Sequence, residues 1–308
     1  MTLDLDLPRF FADFGEVTTV AIPAPRVADF VALTKPRIVG FIVLTAVAGL
    51  WLAPGAPPLA VLLHLVIGTG LVAAGTCALN QVVERDVDGL MQRTVRRPLP
   101  AGRMPVATAT AFAWLLALTG IAYLYATTNL TTASLAAGTL VSYVYLYTPL
   151  KRHTSLATLV GALPGALPIL GGWTASGAAI TIGALALFWT LFLWQLPHFL
   201  ALAWLYREDY ARAGLRMLSV EHADHRVTFR QAALYAAALL PVSLVPAVVG
   251  ITGTFYFVGA VALGVWLLVA SMRAMLTADV ARAARSLFLT SVIYLPLLLL
   301  LMVLNARP

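Results

Sequence analysis

Asn80-Gln81-Val82-Val83-Glu84-Arg85-Asp86-Val87-Asp88, followed by Gly89-Leu90-Met91-Gln92-Arg93-Thr94-Val95-Arg96-Arg97-Pro98, is the stretch that decides how this chain is built. Upstream of it, residues 58–79 contain no Asp, Glu, Lys or Arg. An apolar run of about 20 residues crosses a bilayer as a helix. The charges then arrive all at once, as they do where such a helix reaches water.

The rest of the sequence repeats the pattern. Of 308 residues, 61% are apolar and 11% charged, against about 45–50% and about 25% in an average soluble domain. So few charges cannot cover a soluble surface, which excludes a soluble enzyme, a secreted disulfide module and a disordered chain. The single cysteine, Cys77, excludes a disulfide framework and any multi-cysteine metal site, and its apolar flanks predict a packed thiol.

The apolar stretches predict an all-α polytopic membrane protein with nine spans: roughly 36–53, 58–84, 106–126, 130–148, 156–174, 178–205, 232–251, 255–273 and 286–305. The fifth carries Gly161, Pro164, Gly165, Pro168, Gly171 and Gly172, which predicts a kink. A cytoplasmic tail over 1–30 precedes a single membrane domain, 31–308. Nineteen of the 20 basic residues fall before span 1 or in alternate connections, and only Arg307 falls on the other side. This bias puts the N-terminus in the cytoplasm and the C-terminus outside it, and explains the net charge of +7 without nucleic acid. Acids among residues 1–35 argue against a transit peptide, and no apolar run there makes a signal peptide. The expected address is a bacterial inner membrane, with a periplasmic C-terminus.

All 13 acids fall on the same side as the basic residues, and two groups are organised. Asn80, Glu84 and Asp88 stand at i, i+4 and i+8, so a helix stacks them on one face. Two carboxylates and an amide oxygen suit Mg²⁺, which is usually held by one or two carboxylates plus substrate phosphates. Arg93 and Arg97 follow within ten residues, and guanidinium forks suit phosphate oxygens. The row and its arginines read as a metal–diphosphate site. A second contribution comes after span 6, in Tyr206-Arg207-Glu208-Asp209-Tyr210-Ala211-Arg212. Adjacent Glu208 and Asp209 cannot share a helical face. Asp209 is favoured to point inward, with Arg212 three residues on along the same face. Lys151-Arg152, in the short loop after Tyr147-Thr148-Pro149, is a third contributor of phosphate-binding charge.

The run Asn80-x₃-Glu84-x₃-Asp88-x₂-Met91-x-Arg93-Thr94-x₂-Arg97-Pro98-Leu99-x₂-Gly102 resembles the signature of the UbiA-type intramembrane prenyltransferases. Thr34-Lys35-Pro36-Arg37, Tyr147-Thr148-Pro149-Leu150-Lys151-Arg152, Trp194-Gln195-Leu196-Pro197-His198-Phe199 and Asp209-Tyr210-Ala211-Arg212-Ala213-Gly214 extend the resemblance over about residues 30–305. The last two are similar to the haem-modifying branch. Departures are Gln81 and Glu84, where many members have Asp, and Tyr-Arg-Glu-Asp in place of a DxxxD pair.

The resemblance implies a UbiA-like bundle around a central cavity that opens near the cytoplasmic side. It implies transfer of a farnesyl group from farnesyl diphosphate to the 2-vinyl group of haem B with addition of a hydroxyl, giving haem O and diphosphate. It also implies Mg²⁺, with Mn²⁺ as the alternative ion, haem B as substrate rather than cofactor, membrane lipid around the chain, and haem A synthase or terminal-oxidase assembly proteins as partners. On this reading Asn80, Glu84, Asp88, Glu208 and Asp209 hold the metal. Arg93, Arg97, Lys151, Arg152 and Arg212 hold the diphosphate. Tyr143, Tyr145, Tyr147, Trp194, Phe199 and Trp204 are the aromatic faces available to shield an allylic cation.

His198, in span 6, is an ionisable group inside the membrane and so a candidate for haem contact or acid–base work, with a hydrogen-bonded packing histidine as the alternative. His64 reads as packing, and His153, His222 and His225 as solvated, with cover of the site or contact with haem propionates as the alternative for His222 or His225. The other readings are a prenyltransferase with an aromatic quinone-precursor or chlorin acceptor, an ion-coupled transporter, and a haem scaffold without chemistry. The missing DxxxD pair argues against the first. Charges gathered at one membrane edge rather than the midplane argue against the second, and a metal–diphosphate site argues against the third.

Overall fold

The computed structural model describes residues 25–55 and 57–307, all helix and connection apart from one isolated bridge between Thr252 and Ala306. Most of the expected tail, with Asp4, Asp6, Asp13 and Glu16, lies outside the described residues. Its last residues enter helix α1 (Val27–Thr34), which bends by 44° at Lys35 into α2 (Pro36–Trp51). The longest helix, α3 (Leu59–Asp88), pairs with α4 (Val106–Thr127). Next, α5 (Leu130–Val141) widens into a π-helical turn over Ser142–Tyr147 and ends in α6 (Thr148–Leu150). The chain continues through α7 (Ala157–Ala175) and α8 (Ile182–Leu205) into the short α9 (Arg207–Arg212) and α10 (Leu218–Glu221). Three long helices close it: α11 (His225–Val248), α12 (Thr254–Leu276) and α13 (Val280–Leu304).

Seven of these helices (α3, α4, α7, α8, α11, α12 and α13) are long and apolar enough to cross a membrane, and α1 with α2 makes an eighth. The fourth expected span, 130–148, is the one left over, with no single α-helix of spanning length, because the π turn divides it. The outer helices carry exposed apolar side chains along their length, Phe255, Leu276, Leu289, Leu300 and Leu304 among them. Such a surface is solvated by lipid, whereas in water it would aggregate.

With apolar solvent outside, helix association depends on close packing rather than on the hydrophobic effect. The α2–α7 crossing shows how close. A Cβ on Gly49 would sit 2.0 Å from the Ile169 carbonyl oxygen, and one on Gly172 would sit 1.8 Å from that of Ala46. The two backbones touch because neither glycine has a side chain. The α7 helix runs unbroken through Pro164 and Pro168. It is the most buried of the long helices, with α2, α5 and α8 against it.

Around this seam the bundle has one large core from α7, α8, α11, α12 and α13, and smaller ones where α1, α3 and α4 meet. The α2 helix packs closely on α7 and α3 but only lightly on α13. The C-terminal ends of α3 and α8, the N-terminal end of α11 and the α6–α7 loop all lie at one end of the bundle. A small apolar cluster of Val87, Met91, Ala203, Ala213, Leu215 and Met217 pins the end of α3 to the segment after α8.

Candidate functional site

The end of α3 projects its polar row into a cavity at this end of the bundle. Asn80, Glu84 and Asp88 all line it, as their spacing predicts, together with Arg93, Arg97 and Lys151. Asn80 and Asp88 are 2% and 1% exposed, so neither carbonyl nor carboxylate is solvated as a surface group would be.

Each member of the row has its own cation. Lys35 Nζ donates to Asn80 Oδ1 at 2.9 Å, Lys151 Nζ to Glu84 Oε1 at 2.6 Å, and the Arg97 guanidinium to Asp88 Oδ2 at 2.5 Å. Burial pulls the Lys151 ammonium down, but Tyr147 and Glu84 beside it outweigh that and hold it above the usual lysine range. The cavity lining therefore carries two carboxylates against four cations, Lys35, Arg93, Arg97 and Lys151. A positive excess in a half-enclosed polar cavity suits an anion more strongly charged than a single carboxylate.

The donors fit a hard cation brought in with such an anion. Asp88 Oδ1 is buried with no hydrogen-bond partner in the protein, and a buried orphan acceptor is costly unless something fills it. No group of three or more His, Cys, Asp or Glu side chains is gathered among the described residues. The site thus offers two carboxylates and an amide, and phosphate oxygens would have to complete the shell, as is usual for Mg²⁺.

Other elements shape the walls. The π-helical turn carries Tyr143 and Tyr147 into the cavity with their rings 5.2 Å apart, and Lys151 Nζ lies 4.3 Å from the Tyr147 centroid. The Asn80 amide donates to Thr148 Oγ1, which donates in turn to the Tyr143 carbonyl, so the turn is fastened to α3. On the α8 side Phe199 and Tyr210 complete the lining. Behind Tyr143 a second cavity, almost wholly apolar, runs between α2, α3, α5 and α7 past Val72, Leu135 and Leu167. Cys77 packs into its wall, buried as its flanks predict.

The remaining candidates are placed elsewhere. Asp209 is buried and points inward, but it accepts from the backbone N–H groups of Gln92 and Arg93, at 3.3 Å each, and from the Arg212 guanidinium. It locks the turn that carries Arg93 rather than lining the cavity. Glu208 and Arg152 are exposed, and neither they nor Arg212 reach the polar row. His198 lies on the far side of Phe199, against α13. Trp194 accompanies it, Trp204 packs on Phe229 and under the Arg207 guanidinium, and Tyr145 faces outward. His64 bonds Tyr123, in keeping with a packing role.

Two contributors were not legible as site residues. Lys35 is the one described non-glycine residue with positive φ, at 50°. A left-handed conformation costs an L-residue about 1–2 kcal/mol. It is held by Gln81, whose amide donates to the Ala32 and Leu33 carbonyls at the end of α1, and by the Lys35–Asn80 bond. Gln81 thus caps a helix end and does not face the cavity. A break before Pro36 is expected, because proline disfavours helix in the residue before it, but the direction of the lysine is not. Thr148 reads only as part of a loop.

Comparison with known proteins gives the family and the fold. Residues 42–293 match the model of the UbiA prenyltransferase family. The chain is 50% identical over 247 residues to a protoheme IX farnesyltransferase of Solibacter usitatus, covering 80% of this chain and 84% of that one. It is 43% identical over 301 residues to a protoheme IX farnesyltransferase of Koribacter versatilis, covering 93% and 97%. Among solved structures it is similar to digeranylgeranylglyceryl phosphate synthase, with a TM-score of 0.76 at 14% identity over 90% and 97% of the two chains. It is also similar to a UbiA homologue from Archaeoglobus fulgidus bound to GPP and Mg²⁺, with a TM-score of 0.62 at 16% identity over 89% and 99%. At those identities the structural likeness is one of fold.

Proposed function

This chain belongs to the UbiA prenyltransferase family, and from that premise we propose that it transfers a farnesyl group from farnesyl diphosphate to a vinyl group of haem B. The relatives that match most of its length are protoheme IX farnesyltransferases. The observation that carries the reaction class is the polar cavity with its excess of cations, which shares Tyr143 as a wall with an apolar one. A prenyl diphosphate has the same two ends.

On this reading the diphosphate sits among Lys35, Arg93, Arg97 and Lys151, and Asn80, Glu84 and Asp88 would hold Mg²⁺. Bound there, the ion neutralises charge that develops on the leaving diphosphate. The three cations that rest on the row turn from carboxylate and amide to phosphate oxygens as the substrate enters. Binding so exchanges one set of charge-assisted bonds for another instead of leaving any charge bare. The allylic C–O bond breaks and diphosphate leaves with the bonding pair. The allylic carbon joins the terminal vinyl carbon of the haem. Water then adds to the inner vinyl carbon and loses a proton. Tyr143, Tyr147 and Phe199 wall the reacting carbon, exclude bulk water and present faces that stabilise a cation. Asp209 and Arg212 act on this site indirectly, by fixing the Arg93 turn.

The nine-span arrangement belongs to the same proposal, with Leu130–Leu150 crossing as α5, the π turn and α6 in series. So do a cytoplasmic N-terminus, a periplasmic C-terminus and a bacterial inner membrane, which the sidedness of the basic residues supports. Mn²⁺ in place of Mg²⁺, and docking of haem A synthase or oxidase assembly proteins, are further parts of it.

Diphosphate release tests this reading. Release should require farnesyl diphosphate, a divalent cation and haem B together. Release with 4-hydroxybenzoate in place of haem would transfer the assignment to the quinone-precursor reaction. Lys35→Met supplies a finer check. It should raise KM for farnesyl diphosphate about tenfold, a change worth about 1.4 kcal/mol, with a smaller change in kcat. An unchanged KM would remove Lys35 from the diphosphate site.

A further inference from the structure

His198 is an imidazole on α8 with no place in the polar cavity, and its surroundings fix its orientation and point to one tautomer. Its Nδ1 lies 2.9 Å from Ser291 Oγ on α13. The same hydroxyl donates to the Phe288 carbonyl at 2.6 Å. A serine has one hydroxyl proton. With that proton committed to Phe288, Ser291 Oγ accepts from His198, so Nδ1 carries the hydrogen of the neutral imidazole. The free lone pair is then on Nε2. That atom has no hydrogen-bond partner among the described residues, nor is it one of the buried unpaired polar atoms, so it reaches the accessible surface.

The ring is also held in angle. Trp194 lies 5.4 Å from it at 25° and Phe288 lies 4.9 Å from it at 30°. Ser291 fixes Trp194 too, through its carbonyl, which accepts from the indole Nε1 at 2.8 Å. One residue of α13 therefore orients both aromatic groups. A histidine that only fills space has no need of a fixed tautomer with its other nitrogen open. A histidine that ligates a metal is usually built in this way, with one N–H held by an oxygen and the other nitrogen bare.

Its position suits the acceptor. Phe199, the next residue, has its ring 5.7 Å from the imidazole and lines the polar cavity. On the α2 side the cavity is lined by Ile38, which is 51% exposed, and α2 and α13 touch each other only lightly. A flat macrocycle entering from that side would have its centre near α8 and α13 and one edge toward the allylic carbon.

We infer that His198 Nε2 ligates the iron of the haem acceptor, and that Ser291, Trp194 and Phe288 hold the imidazole in position for it. This inference rests on haem being the acceptor. The bond is a donation of the imidazole lone pair to iron, with no change of oxidation state. It fixes the porphyrin centre, so that one edge rather than another faces the reacting carbon.

The test is a titration of the purified full-length protein with haem B alone, without prenyl diphosphate, read in the Soret band. The wild type should show a histidine-ligated spectrum. His198→Gly should lose it, with haem affinity falling by more than tenfold, and added imidazole should restore the band. Ser291→Ala should weaken haem affinity about tenfold, as loss of a partner to a metal-ligating histidine usually does. Imidazole also ligates free haem, so the restored band is read on haem that co-elutes with the protein, where loss of packing alone would leave none. A wild-type spectrum and affinity in His198→Gly, in a preparation whose parent prenylates haem, would overturn the ligation and leave the proposed reaction standing. A parent that prenylates no haem would overturn the reaction itself.

Discussion

Replacing Asp88 by asparagine should lower kcat by about a thousandfold while the protein still extracts and elutes as the wild type does. Loss of one group that stabilises developing charge in an enclosed site costs about 10²–10³ in kcat. Asp88 here serves two charges, Arg97 and the proposed metal. Asparagine keeps the volume and an oxygen for Arg97. The Thr94 hydroxyl bonds the Asp88 main-chain carbonyl, which the substitution leaves in place. Asparagine removes the formal charge and replaces one oxygen by an amide that repels a cation. The loss should therefore fall on kcat more than on KM for farnesyl diphosphate. A kcat within threefold of wild type would take Asp88, and with it the acid row, out of the metal site.

The second large effect is expected at Lys151. Its ammonium is held between Glu84 and the Tyr147 face, and both partners of the ion pair are nearly buried, at 11% and 12% side-chain exposure. Lys151→Met keeps the apolar stem and removes the charge. Glu84 is then a buried carboxylate without a partner, and breaking such a pair costs about 3–5 kcal/mol of stability. The proposed phosphate contact is lost as well, so kcat/KM for farnesyl diphosphate should fall about a hundredfold or more. Stability and activity are separable here. Adding Glu84→Gln to Lys151→Met removes the stranded charge and should recover most of the thermal stability but none of the activity. Recovery of activity with stability would make Lys151 and Glu84 structural partners and take both out of the proposed diphosphate and metal site.

Much of this site was legible in the sequence, for a definite reason. Asn80, Glu84 and Asp88 are four residues apart on one long helix, so their shared face follows from helix geometry. Arg93 and Arg97 follow closely enough that any turn brings them back to the helix end. What could not be read depends on contacts between distant elements. Lys151 reads equally well as a topology signal until Glu84 is seen beside it, 67 residues away in sequence. Asp209 and Glu208 look like a second ligand pair. The structure gives one to the Gln92–Arg93 turn and the other to the surface. The π turn has no marked sequence signature, yet it aims Tyr143 and Tyr147 inward and divides the segment read as the fourth span. The open nitrogen of His198 became visible only with Ser291, which is 93 residues further on.

The most direct measurement of the central claim is the mass of the product. Purified protein would be incubated with haem B, farnesyl diphosphate and Mg²⁺, with and without a chelator. The account predicts a haem heavier by one farnesyl group and one hydroxyl, formed only when the chelator is absent. Unmodified haem together with prenylated 4-hydroxybenzoate, under the same conditions, would contradict it.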